Sequence, residues 1–154
     1  MNYQLPIFSL VVAAIIFIII KTARIYSIPV ADFKSLLSGM NDSKLIDVTA
    51  RGPHHAVFKY QIYPIDIIPC FDKKGNSISL KNSPALEIQF TAMDNKKKSF
   101  YFDTIRMNGT IVKGSQSRFV TSIQGTIDLN TVTKIELRKI KKGFKYVGNP
   151  FNNS

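Results

Sequence analysis

The chain has 154 residues, room for one ordinary core and an appendage. Lys and Arg total 21 against 10 Asp and Glu, a formal charge of +11, while 45 % of residues are apolar. A single Cys excludes an intrachain disulfide scaffold, and the composition excludes collagen-like and wholly disordered chains.

Residues 5–20 carry no charge, whereas every charged side chain lies from Lys21 onward. As a helix, sixteen residues span ~24 Å, and flanks reaching from Tyr3 to Tyr26 extend this to ~34 Å, against a hydrocarbon core of ~30 Å. Leu5, Val11, Ile15, Phe17 and Ile20 would face lipid. Tyr3 and Tyr26 would be interfacial aromatics, with Lys21 and Arg24 snorkelling to the headgroups. Pro6 suits a first helical turn. A buried soluble helix would show a polar stripe, and a cleaved signal peptide would need a basic start and a small-x-small site. Neither is present, so the expectation is an uncleaved single-span anchor with flanks over residues 1–26. Positive charge only after the span predicts a cytoplasmic domain. A periplasmic or extracellular domain is the alternative, to which the sequons Asn41-Asp42-Ser43 and Asn108-Gly109-Thr110 point.

A membrane-proximal linker with a short helix is expected over 27–43. Ile28-Pro29 marks a turn, Asp32 would cap a helix over 32–40, Phe33, Leu36 and Leu37 share a face, and Gly39 ends it. Residues 44–147 read as a β domain and 148–154 as a loose tail. Strand patterns occupy 44–49 and 56–62. Pro64 and Pro69 make 65–68 an edge or broken strand, and Asp72-Lys73-Lys74-Gly75-Asn76 a turn. Residues 86–92 and 100–102 form a hairpin. Asn108-Gly109 within 105–112 predicts a type I′ turn. Short strands follow at 119–120 and 123–129. A last hairpin joins 134–140 to 144–147. Seven to nine short strands without strand–helix alternation predict a mainly β domain, an antiparallel sandwich or barrel.

Ile28 to Thr49, and Leu45-Ile46-Asp47-Val48 above all, resembles the opening of rhodanese-type domains. Such a domain would place its Cys in a loop ending in Arg ahead of a helix; Cys70 precedes Phe-Asp-Lys-Lys-Gly-Asn-Ser and more strand pattern, so no rhodanese chemistry is expected.

His54-His55 follows Gly52-Pro53 in a turn, without other metal-ligand spacing. Cys70 lacks an adjacent activating base. There is no phosphate loop, and no paired carboxylates stand out; Asp66, Glu87, Asp103 and Glu136 are expected on solvated faces. No catalytic residue, metal or cofactor is assigned, and the expected role is non-enzymatic. Two basic clusters remain: Lys96, Lys97 and Lys98; and Lys134, Arg138, Lys139, Lys141, Lys142 and Lys145 on a predicted strand pair. Each fits a solvated edge, a contact with anionic lipid or an acidic protein partner, or less readily nucleic acid. The expected function is an accessory or protein-interaction role for a small basic β domain at a membrane face. Its partners would be the bilayer and another membrane or membrane-associated protein. The alternative is an exported, tethered sandwich that binds a ligand or protein.

Overall fold

The computed structural model describes residues 24–120, 122–140 and 143–152. They form a mainly β structure with three antiparallel sheets and one α-helix. The strands are β1 (Ile25–Ser27), β2 (Ile46–Arg51), β3 (Val57–Ile62), β4 (Ile67–Phe71), β5 (Ser77–Lys81), β6 (Leu86–Ala92), β7 (Lys97–Tyr101), β8 (Arg106–Asn108), β9 (Ile111–Ser115), β10 (Gln124–Asp128), β11 (Val132–Lys139) and β12 (Lys145–Tyr146). Helix α1 is Val30–Leu37. A six-stranded sheet runs β5-β4-β1-β11-β6-β7, and two smaller sheets run β10-β9-β8 and β12-β2-β3.

Alternation explains the central strands. In β6, Leu86, Ile88 and Phe90 are buried, whereas Glu87 and Gln89 stay partly open. Opposite Phe90 and Ile88 on β11, Ile135 and Leu137 are buried too, so these two adjacent strands share one core face. Helix α1 closes this face: Phe33 is fully buried and meets Phe90 edge to face at 5.5 Å.

Several expectations change. Among the described residues no helix is long and apolar enough to cross a membrane. The predicted anchor, with Tyr3, Leu5, Val11, Ile15, Phe17, Ile20 and Lys21, lies outside the described residues. Tyr26 is described, and it is not the end of a helix. It sits on β1 opposite Leu137 and packs against the core. Backbone pairing with β11 claims it, so the Tyr3–Tyr26 helical spacing does not hold. Arg24, just before β1, is exposed.

Helix α1 begins two residues before Asp32. Pro29 is its N-cap, and no side chain caps it; Gly39 lies beyond its end at φ +77°, the left-handed region glycine favours. Pro69 sits within β4, which has a neighbour on each side. The amide of Asn82 donates to the Asp66 carbonyl at 2.8 Å, and this sets the alternation so that Pro69 faces away from β5. On its other side β1 reaches only from Ser27 to Phe71, so the missing N–H of Pro69 breaks no ladder bond.

The β8–β9 turn is a two-residue turn, with Asn108 opposite Ile111. Gly109 and Thr110 are its centre, and Gly109 alone has positive φ, the pattern of a type II′ rather than a type I′ turn. Phe119 and Val120 are outside any strand. The expected last hairpin is absent, because β11 pairs with β1 and β6 while β12 pairs with β2 in another sheet.

Candidate functional site

Where the three-stranded β12-β2-β3 sheet meets the six-stranded one, the core turns polar. Asp103 lies in the 3₁₀ turn Phe102–Thr104 that follows β7, and Arg118 in the segment between β9 and β10. An Arg118 terminal nitrogen donates to Asp103 Oδ1 at 2.7 Å and to the Pro84 carbonyl at 2.9 Å. The side chains are 3 % and 0 % exposed. The other carboxylate oxygen accepts from two hydroxyls, Tyr60 of β3 and Tyr146 of β12, the latter at 2.8 Å. Three donors thus converge on one buried carboxylate, the compensation that a buried charge requires.

Aromatic rings cover the cation. The Arg118 guanidinium carbon lies 4.2 Å from the Tyr101 ring centre, 4.9 Å from Tyr60 and 5.8 Å from Phe144. Burial pushes the phenols of Tyr60 and Tyr146 well above the usual tyrosine range, and the Asp103 charge adds to it. Both stay neutral and donate. Burial alone would lower the Arg118 guanidinium, but Asp103, aided by Tyr60, outweighs it and the net shift is upward. The group clamps β3 and β12 onto the end of β7.

Beside this clamp runs a groove of about 490 Å³ along β3. Val57, Lys59 and Gln61 of β3 line it together with Ser115, Ser117, Gln124, Arg106 and Arg118. Arg106 donates to the Gln61 carbonyl at 2.7 Å and lies over the Tyr63 ring at 5.1 Å. Burial lowers its guanidinium, with Tyr63 and Asp42 acting against that. Exposed Phe119 stands nearby, edge to face with Phe58 at 5.7 Å.

The predicted basic residues are divided between sheets. Lys97 and Lys134 both oppose Thr91, one from each side, and share a row on the outer face of the large sheet. Lys96 lies in the preceding turn within 3.6 Å of Asp94, and Lys134 within 3.5 Å of Glu136. Lys98 donates to the Thr126 carbonyl. Arg138 bonds Gln89 at 2.8 Å, and Lys139 is exposed at the end of β11. Lys145 lies in the other sheet, opposite Arg51, so the second cluster does not occupy one strand pair. Lys141 and Lys142 lie outside the described residues.

His54 and His55 occupy an exposed turn with φ of 56° and 61°, a rare left-handed pair outside glycine. Cys70 is buried in β4, and burial pushes its thiol up, away from the reactive thiolate. Among the described residues no three His, Cys, Asp or Glu side chains group as metal ligands.

Asp103 was expected on a solvated face and is instead buried at the centre of the clamp; Arg118 carried no expectation at all. Their 15-residue separation and irregular surroundings leave no periodic signal. Compared with protein-family models, with curated proteins and with solved structures, the chain finds no match.

Proposed function

We propose that this chain is a membrane-tethered, non-enzymatic interaction module, in which a basic β domain offers an open sheet edge to a protein partner. The observation carrying this reading is the β3 edge. Among the described residues it ends its sheet, and its outward side borders the 490 Å³ groove rather than another strand. Such an edge is a template for pairing with a further chain. The tether is the uncharged run 5–20 followed by Lys21 and Arg24. Lys97 and Lys134, in one row of the outer face, would add affinity for an anionic leaflet at about 1 kcal/mol per basic residue near the surface.

Three measurements on the full chain in cells test this. Reporters fused after Ser154, one active only in the cytoplasm and one only outside it, separate the cytoplasmic reading from an exported domain. A photo-crosslinking residue at exposed Val57, with exposed Thr133 of the interior strand β11 as control, tests the edge. Recovery of the chain in the soluble fraction would refute the tether. Identical adducts from Val57 and Thr133, or none from either, would refute the interaction edge.

A further inference from the structure

We propose that the groove beside β3 takes an extended, acidic peptide segment as an added strand. The inference rests on the interaction reading above and names the chemistry of the partner.

Three hydrogen bonds establish which groups of β3 are available. The Gly52 amide donates to the Ala56 carbonyl at 2.9 Å, continuing the β2–β3 register as a bonded pair. The Val147 amide donates to the Thr49 carbonyl at 2.8 Å, so Thr49 turns its backbone toward β12 and away from β3. Alternation then directs Phe58, Tyr60 and Ile62 at β2, and directs Val57, Lys59 and Gln61 outward. The third bond agrees, since Arg106 reaches the Gln61 carbonyl from the outer side. It also closes that end of the edge. Val57 and Lys59 keep outward N–H and C=O groups that make no bond within the described residues, enough for a short added strand at the usual ~4.8 Å spacing.

The charge of the groove selects the occupant. Its lining includes Lys59, Arg106 and Arg118 and, among the described residues, no carboxylate. Arg118 is neutralised by Asp103 from behind. Lys59 makes no ion pair among the described residues, and Arg106 has only exposed Asp42 at 4.0 Å. Two positive charges therefore face the space a partner strand would fill. A second copy is disfavoured by the same residue, because antiparallel β3–β3 pairing centred on Lys59 sets two ammonium groups opposite each other. An edge lysine that repels its own kind admits an acidic strand.

The test uses the full chain in detergent micelles with a fluorescent (Glu-Val)4 peptide as probe. The comparators are (Lys-Val)4 and the fully N-methylated (Glu-Val)4, which keeps the charge but has no N–H to donate. We expect binding of the probe at least tenfold tighter than of either comparator. Lys59→Pro removes an outward N–H without touching a β2 ladder bond and should weaken binding at least tenfold. Amide exchange in the unaltered protein supplies a readout independent of that variant's folding: the probe should slow exchange at Val57 and Lys59 at least tenfold more than at Phe58 and Tyr60. Equal binding of the N-methylated peptide, unchanged exchange at Val57 and Lys59, or protection of those amides by self-association without peptide would overturn the proposal. Val57 adducts in cells alongside no binding of the probe would refute the acidic strand alone; loss of both would refute the interaction reading as well.

Discussion

Arg118 and Asp103 lie 2.7 Å apart, 15 residues apart in sequence, and neither reaches solvent to any useful extent. This one pair ties together β3, β7, β12 and the segment after β9, because the same carboxylate also receives Tyr60 and Tyr146. Removing one partner strands the other charge without water. Arg118→Met or Asp103→Asn should therefore cost about 3–5 kcal/mol in urea unfolding. The double variant should cost less than the two singles combined, by roughly 0.5–3 kcal/mol of coupling. Strict additivity would show that the pair does not act as a unit.

The two phenols give the clamp a pH signature. Their folded values are raised above the unfolded tyrosine value of ~10, so both remain protonated in the native state after an unfolded chain would have lost those protons. Stability from this source is fully present below about pH 10 and is lost as pH rises beyond it. Ionisation of Tyr60 and Tyr146, followed by absorbance, should lag until the protein unfolds. In Tyr146→Phe only one should lag, and the lost bond to a charged acceptor should cost about 1.5–3 kcal/mol at neutral pH.

Gly114 of β9 is a matter of space rather than of backbone angle. A Cβ there would stand 2.8 Å from Cβ and Cγ of Phe100, itself buried. Gly114→Ala should lose about 1–3 kcal/mol in thermal or urea unfolding through overpacking. Gly75→Ala is the contrasting case. Nothing lies within 4 Å of its added Cβ, but φ is +82°, so its cost of about 1–2 kcal/mol is conformational. Leucine at position 100 would keep the Cβ and Cγ that cause the contact, so Phe100→Leu should relieve neither variant.

Helix α1 belongs to the core despite its place just after β1. Phe33→Ala removes a fully buried ring from its contact with Phe90 and should cost about 3–5 kcal/mol. Equilibrium unfolding by far-UV circular dichroism should show one cooperative transition at lower denaturant. A separate early loss of helix signal with the sheet intact would mean that α1 is only an attached arm.

The sequence by itself determined what depends on near neighbours. Period-two alternation marked β3 and β6, and turn chemistry marked the bend at Asp72–Asn76, where Asp72 accepts from the amides of Lys74 and Asn76. The β6–β7 hairpin is legible because its two strands are adjacent in the chain. Only the tertiary structure decided partners across long separations. Tyr26 reads as the end of an apolar run, yet β11 draws it into a sheet. Lys134 and Lys145 read as one basic strand pair, yet they lie on different sheets. Asp103 reads as a solvated acid, yet Arg118 and two phenols compensate it in the interior. The physical reason is common to all three: alternation tells which face a side chain takes, while strand partners and the neutralisation of a buried charge depend on groups that only folding brings within 3 Å.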